Sequence, residues 1–447
     1  MMNKFNNEEY VGVGIFAGAG GLDTGLMNGG INMRLAIDFE PAACKTYQLN
    51  HPNTVVWNRD VCTVTGEEIR NVKGIGNKKI ILAGGPPCQS WSEFKEEISN
   101  SRKGLDDVRG QMIYQYLRIV EELKPVAIVF ENVPYMVTNP KHLVEFEKFK
   151  AELGERTGLN LEYQILKSIN YGQAQLRERV IMIGTVKGIP NPFNYLRDIE
   201  GPKTLREALQ NCPSSDYFKF RKTDKEVMKQ IKAGQCWNAL SPEVAYAHMR
   251  KDYKGICLDC GNNFEGVNKC PKCHSTHIRN GYGITSYLRR LSFDKPSPTI
   301  CAVPTNKTHG LLGHPTEQRA LSIRECARLQ GFADSYEFVG TIFEQQKQIG
   351  NAVSVGVGKA IGLAIIEAIN NSDNNFSNED LDYNVMFNKF KFIVMHPNRF
   401  ILSELEKDFI RLAFKRYQEN KPFPSKYQTY FDEMIVKINN QSKNVAM

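Results

Sequence analysis

The chain has 447 residues, 41% of them hydrophobic, with 57 Lys+Arg against 49 Asp+Glu and a formal net charge of +8. That length suffices for two or three domains with a sizeable core. No run is apolar and long enough for a membrane span and no secretory signal is expected, which sets aside membrane and secreted classes and suits a reducing cytoplasm.

Residues 11–16 form an apolar stretch that runs into a glycine cluster, with Gly18, Gly20, Gly21 and Gly25. A strand that breaks into glycines predicts the first βα turn of a nucleotide-type fold, where bare backbone approaches a ligand and the next helix adds its N-terminal field. The spacing is not the GxGxxG of a pyrophosphate site, and a plain tight turn would read the same way. Residues 35–38 predict a second strand ending in Asp38, the position that takes a ribose hydroxyl in such folds, with Phe39 beside it for an adenine face. A third strand ends near Asp60 and Val61. Loop solvation alone would also explain either aspartate.

Residues 80–83 (Ile-Ile-Leu-Ala) predict a buried strand stopped by Gly84-Gly85-Pro86-Pro87, because proline lacks the ladder donor. Cys88 follows, on a loop at the carboxyl edge where open α/β sheets bind ligands. A thiol there is a candidate nucleophile, or else a small residue filling the turn. The polar stretch 92–109 reads as a mobile lid beside it. Residues 125–130 predict a further strand ending in Glu131, on the same edge as Cys88. Alternation in the segment from Gln175 puts Gln175, Arg177 and Arg179 on one face, with both arginines toward a common pocket and Glu178 away.

Residues 191–310 carry 19 basic and 11 acidic residues, the whole of the net charge, and the remainder balances at 38 against 38. A basic excess confined to one segment suits phosphate binding. Within it Cys257-x-x-Cys260 and Cys270-x-x-Cys273 form two knuckles nine residues apart, a strong signal for one structural zinc ion. Gly261 follows the first knuckle, as a turn with positive φ requires. The ribbon could touch phosphates through Lys269, Lys272 and Arg279 or brace the surrounding loops; bracing is favoured. The other cysteines, Cys44, Cys62, Cys212, Cys236, Cys301 and Cys326, lack metal spacing. From Gln348 an apolar helical pattern runs to Ile366, with Asn351 as its expected cap. A polar linker at 370–375 leads to a helical pattern over 402–417 and a Lys- and aromatic-rich stretch at 417–430, expected to pack as an appendage.

The motifs together resemble those of the DNA (cytosine-5) methyltransferase family of restriction-modification type. The resemblance covers residues 11–366 and rests on Phe-Ala-Gly-Ala-Gly-Gly at 16–21, Pro-Pro-Cys-Gln at 86–89, Glu-Asn-Val at 131–133, Gln-x-Arg-x-Arg at 175–179, Arg-Glu-Cys-Ala-Arg-Leu-Gln-Gly-Phe at 324–332 and Gly-Asn-Ala-Val at 350–353. It implies an α/β fold: a Rossmann-like sheet of an S-adenosylmethionine-dependent methyltransferase with an inserted target-recognition domain, here carrying the zinc ribbon. The catalytic domain would span 1–190 and 313–370, the recognition domain 191–312, and an extension 371–447. The resemblance also implies roles. Cys88 would add to carbon 6 of a flipped-out cytosine, Glu131 would contact the ring nitrogen and amine, Arg179 would hold the carbonyl oxygen, and Arg177 would support the nucleophile loop. Phe16, Gly18, Gly20, Gly21, Asp38, Phe39, Asp60, Val61, Asn351 and Val353 would line the cofactor pocket.

The expected partner is double-stranded DNA, met by a monomer in the cytoplasm at the nucleoid. A restriction endonuclease acting on the same site, or none for a solitary methylase, completes the picture. A relative acting on transfer RNA would share nearly every motif; the basic insertion between Arg179 and Arg324 favours a duplex, which needs a groove-facing module. A DNA-binding protein that has kept the fold without the chemistry is the other alternative, and intact Cys88, Glu131, Arg177 and Arg179 speak against it.

Overall fold

The computed structural model describes residues 5–87, 112–220, 222–241, 243–245, 255–264, 269–280, 288–303 and 312–372. Cys88, the expected lid at 92–109 and the whole extension beyond Ser372 lie outside the described residues. Contacts gather Met1–Ser372 into one compact unit and Asp373–Met447 into another.

The first unit is built on a seven-stranded sheet. Its strands are β1 (Tyr10–Ile15), β2 (Met33–Asp38), β3 (Val55–Asn58), β4 (Lys79–Gly84), β5 (Ala127–Asn132), β6 (Asn160–Lys167) and, after the two-residue β7 (Gln175–Leu176), β8 (Glu178–Thr185). The order is β3-β2-β1-β4-β5-β8-β6. Strands β1 to β5 are parallel, and β8 runs antiparallel to both β5 and β6. Strands β1, β4 and β5 are apolar almost throughout because helices cover both faces.

Alternation along the strands sorts the two faces. Val11, Val13, Ile80, Leu82, Ile128 and Phe130 pack with Ile113, Tyr116 and Leu117 of α3 (Met112–Leu123) and Phe146 and Phe149 of α4 (Pro140–Thr157). Ile81, Ala83, Ala127, Val129, Ile181 and Ile183 face α1 (Gly21–Asn28) and α7 (Val355–Asn370). Between α1 and α7 along the chain come α2 (Pro41–Asn50), α5 (Ile323–Leu329) and α6 (Ile342–Asn351). A second core joins Leu205, Phe218, Met228, Trp237, Leu291 and Ile300 to Ile323, Leu329, Phe332, Ile349 and Ala352.

The expected cap of the last helix is corrected here. Asn351 is the final residue of α6, and Ser354 starts α7. The Ser354 hydroxyl reaches Gln330 Oε1 (2.9 Å) and Ser168 Oγ (2.7 Å) in place of capping. The stretch Ile342–Asn370 is long and apolar enough to cross a membrane, but it is mostly buried inside the protein, and packing against α1 accounts for its composition.

That packing is glycine on glycine. A Cβ on Gly358 would lie 2.6 Å from Leu22 O and 2.9 Å from Gly25 Cα; one on Gly362 would meet Leu26 O at 3.0 Å. A Cβ on Gly29 would lie 2.9 Å from Gly362 Cα. Alanine is the better helix former by about 1 kcal/mol in a free helix, yet here it must push two backbones apart. Gly358→Ala is therefore expected to destabilise the protein by roughly 1–3 kcal/mol, the range of overpacking, as measured by urea unfolding. A stabilised variant would show that the helices separate without loss.

Candidate active site

A cavity of about 260 Å³ opens at the carboxyl edge of β1, β2, β4 and β5. After β1 the chain turns sharply, with φ of 53° at Phe16, 55° at Gly18 and 85° at Gly20, the left-handed region that glycine adopts without strain. The turn is held by Asp38, whose carboxylate accepts from Gly18 N (2.7 Å) and Glu40 N (2.9 Å). Burial raises the Asp38 carboxyl, and these two backbone donors oppose the rise. Phe39, 58% exposed, presents an aromatic face to the cavity. The opposite wall comes from the far end of the chain. A Cβ on Gly21 would lie 2.5 Å from Val353 O, so Val353 sits directly on the glycine turn, and Asn351 lines the cavity beside it.

The other end of the cavity is built by β4, β5 and β8. Gly85, Pro86 and Pro87 leave β4 toward Cys88. The Asn132 amide donates to Pro86 O (3.2 Å), and a Cβ on Gly85 would lie 2.6 Å from Glu131 Oε2. The segment that leads to Cys88 is thus tied to Glu131 and Asn132 where it leaves the sheet. Glu131 accepts from Arg179 Nε at 2.9 Å. Burial pushes the Glu131 carboxyl above its ordinary range, opposed by the charges of Arg179 and Arg177. A buried acid with a raised pKa beside a guanidinium is a candidate for proton exchange.

Several expected site residues are placed differently. Arg177 and Arg179 do not share a pocket. Arg179 lines the cavity, whereas Arg177 is 1% exposed and donates to Ile300 O (3.2 Å), Gly350 O (2.9 Å) and Ala352 O (2.8 Å). Glu178 points away, to Lys167 at 3.0 Å. Asp60 caps the short turn Val61–Thr63 by accepting from Cys62 N (2.9 Å), and Val61 is buried in the core of the α3 face. Neither is on the cavity wall, because the turn after β3 draws both away from it. Gly20 also lies off the wall, wedged against Tyr47 and Tyr336.

Three charged residues on the wall carry no sequence signal of their own. Glu40 follows Phe39, and Lys347 on α6 meets it at 2.6 Å across 307 residues of chain. Asp23, in the first turn of α1, is buried under Gly14 and accepts from Tyr47 Oη at 2.9 Å. An acid near a helix start is ordinarily explained by the helix dipole alone.

The family model described as C-5 cytosine-specific DNA methylase matches residues 11–367. The chain belongs to this family. Among curated relatives, it is 33% identical to the type II methyltransferase M.Sau96I of Staphylococcus aureus, over 82% of this chain and 78% of that one. It is 32% identical to M.PspPI of a Psychrobacter species, over 81% and 80%. Solved structures share the fold. One is a prophage-encoded E. coli protein described as a DNA modification methyltransferase (TM-score 0.55, 21% identity, 81% of this chain and 99% of that one). Another is the Dnmt2 methyltransferase of S. pombe (TM-score 0.51, 17% identity, 82% and 100%).

In this methylase the two cysteine knuckles meet. A three-stranded antiparallel sheet of β9 (Gly255–Cys257), β10 (Asn263–Phe264) and β11 (Ile278–Asn280) carries them. Gly261 has φ of 70°. The sulfurs of Cys257, Cys260, Cys270 and Cys273 all lie within 4.8 Å of one another, with Cys257–Cys273 at 3.4 Å and Cys260–Cys270 at 3.6 Å. Four thiolates around one tetrahedral zinc, each about 2.3 Å from the ion, stand about 3.8 Å apart, so the cage is of the right size.

Burial pushes the Asp23 carboxyl up to about 7, against the opposing hydrogen bond from Tyr47. The folded methylase then holds a proton that the unfolded chain, with its ordinary value of 3.8, has released. Stability is lost as pH rises from about 4 through 7, by on the order of 4 kcal/mol at most. Asp23→Asn is expected to melt later than wild type at pH 8 and to lose that advantage near pH 4. Thermal melts across the range check this, and a difference independent of pH contradicts it.

Proposed function

We propose that the chain methylates carbon 5 of a cytosine within a short double-stranded DNA site, with Cys88, Glu131 and Arg179 at the reaction centre and S-adenosylmethionine as donor. The observation that carries the reading is the Glu131–Arg179 pair, closing one end of the cavity beside the loop that leads to Cys88. Cytosine presents a carbonyl oxygen, a ring nitrogen and an amine along one edge. A guanidinium and a protonated carboxyl match that edge as donor to oxygen, donor to nitrogen and acceptor from the amine. The raised pKa of Glu131 supports the protonated form.

Carbon 6 is out of reach inside a stacked duplex, so the base must be flipped out, at a cost of a few kcal/mol. The Cys88 thiolate adds to carbon 6 while Glu131 supplies the proton to the ring nitrogen, which makes carbon 5 nucleophilic. The cofactor supplies an activated methyl group when it is bound. Phe39 offers the adenine a stacking face, Asp38 an acceptor for the ribose, and the backbone about Phe16, Gly18, Gly21, Asn351 and Val353 a close-fitting wall. Removal of the carbon 5 proton then expels Cys88, the ring nitrogen returns its proton to Glu131, and the neutral ring is restored. Arg177 acts at one remove, as a positioning residue that binds residues 300, 350 and 352 together behind the site.

Residues 191–312 are read as the recognition domain, with one zinc ion held by Cys257, Cys260, Cys270 and Cys273. Four thiolates leave no open ligand position, so such an ion stabilises and does not catalyse. The contact of β11 with Trp237–Ala239 supports a bracing role. The relatives' designation as type II methyltransferases supports a modification enzyme that protects the site of a cognate restriction endonuclease, read here as a monomer acting at the nucleoid.

Bisulfite sequencing of plasmid DNA from cells expressing the chain tests the activity. Protection of cytosines in one recurring context is expected, and none with Cys88→Ala; absence of protection with folded protein overturns the DNA reading and favours RNA. Elemental analysis of purified protein is expected to find one zinc per chain, and Cys270→Ser to release it and lower the melting temperature. A metal-free protein of unchanged stability would refute the zinc site.

A further inference from the structure

Two cations, Arg179 and Lys347, stand among the described residues lining the cavity, against five acids, Asp23, Asp38, Glu40, Glu131 and Glu344. Arg179 is engaged by Glu131 at the base end. Lys347 stands at the other end, where it pairs with Glu40 at 2.6 Å and its charge also acts on Asp38 and Glu344. Glu344 is committed to its own helix, accepting from Thr341 N (2.7 Å) and Thr341 Oγ1 (2.8 Å). The reach of Lys347 is therefore toward Glu40, and through its field to Asp38.

The setting of this ion pair is asymmetric. The far end of α2 is pinned to the segment before α6 by direct hydrogen bonds. Asn50 Nδ2 donates to Glu337 O (2.8 Å), Glu337 N donates back to Asn50 Oδ1 (2.9 Å), and Val339 N donates to Thr46 Oγ1 (2.8 Å). At the near end, beside the cavity and the exposed Phe39, the link to α6 is the Glu40–Lys347 pair, with side chains 36% and 46% exposed. A half-exposed pair is weak and is screened by salt. It can open without disturbing the hydrogen bonds at the far end.

We propose that Lys347 is a positioning residue for the cofactor, strapping α6 to Glu40 across the ribose end of the cavity and thereby setting how fast the cofactor leaves. This rests on the reading of the cavity as an S-adenosylmethionine site. The strap joins chain segments 307 residues apart, and opening it frees the edge that carries Asp38 and Phe39. The product, S-adenosylhomocysteine, shares the adenosine end, so the strap acts on donor and product alike.

Stopped-flow dissociation of S-adenosylmethionine and S-adenosylhomocysteine from the full chain tests the proposal, with Lys347→Met, Glu40→Gln and the double variant. At low salt each single variant is expected to release both ligands about two- to five-fold faster, the size an exposed ion pair supplies, and the double variant no faster than either. Near 1 M salt, where the screening length is about 3 Å, wild type and variants should converge. A merely structural role for Lys347 would not produce that convergence. Unchanged rates in Lys347→Met with an unchanged melting temperature overturn the strap, as does full additivity in the double variant. Wild-type protein that binds neither ligand in equilibrium dialysis overturns the cofactor reading itself, and the strap with it.

Discussion

Gly25 on α1 and Gly29 just past its end meet Gly358 and Gly362 on α7 with no side chain between the backbones. The geometry of the glycine-turn end of the cavity follows from that approach. The helix that begins just after the glycine turn lies against the helix that begins just after Asn351 and Val353, so both turns reach the same edge of the sheet. Any side chain in the seam would separate the two walls of the cavity. Interiors are packed too tightly to absorb a methyl group between backbones without a shift elsewhere. The first and last segments of the catalytic sheet are thus one structural element, although more than 300 residues separate them in the chain.

A second layer of constraint is polar and wholly buried. Gln175 Nε2 donates to Leu329 O (2.9 Å) and Gln330 Oε1 (3.1 Å), and its Oε1 accepts from Ile300 N (2.9 Å). Gln330 in turn donates to Ile349 O (2.7 Å). Arg177 joins Ile300, Gly350 and Ala352. These side chains satisfy backbone carbonyls that would otherwise be buried without donors, and leaving such groups unmade costs about 1–3 kcal/mol each. They also tie the segment at Ile300 to the turn at Gly350 and Ala352 that lines the cavity.

Charge is distributed unevenly along the cavity. Arg179 pairs with Glu131 at one end, while Asp38, Glu40 and Glu344 against Lys347 leave the other end net acidic. A donor bearing a sulfonium is favoured by that field over any anionic nucleotide, which agrees with a glycine turn that lacks a pyrophosphate fingerprint.

Local sequence was enough to place the parallel strands, the glycine turn, the stop of β4 at Gly84-Gly85-Pro86-Pro87 and Glu131 at the carboxyl edge of the sheet. Those depend on local features: apolar runs that only a doubly covered sheet can bury, glycine and proline that end strands, and polar residues at the carboxyl ends of strands. The cysteine cage was legible for the same reason, since each knuckle is a local turn. Tertiary structure decided the rest. Alternation placed Arg177 and Arg179 on one face, yet a break between β7 and β8 sends Arg177 into the core behind the site. Asn351 looked like a helix cap, but Ser354 starts the helix because the chain must first cross the glycine turn. Asp60 and Val61 followed a strand on the correct edge and were drawn off by a turn whose own cap uses the carboxylate. The meeting of Glu40 with Lys347 could not be read from either neighbourhood, because a contact across 307 residues is set by how the helices pack and not by any local pattern.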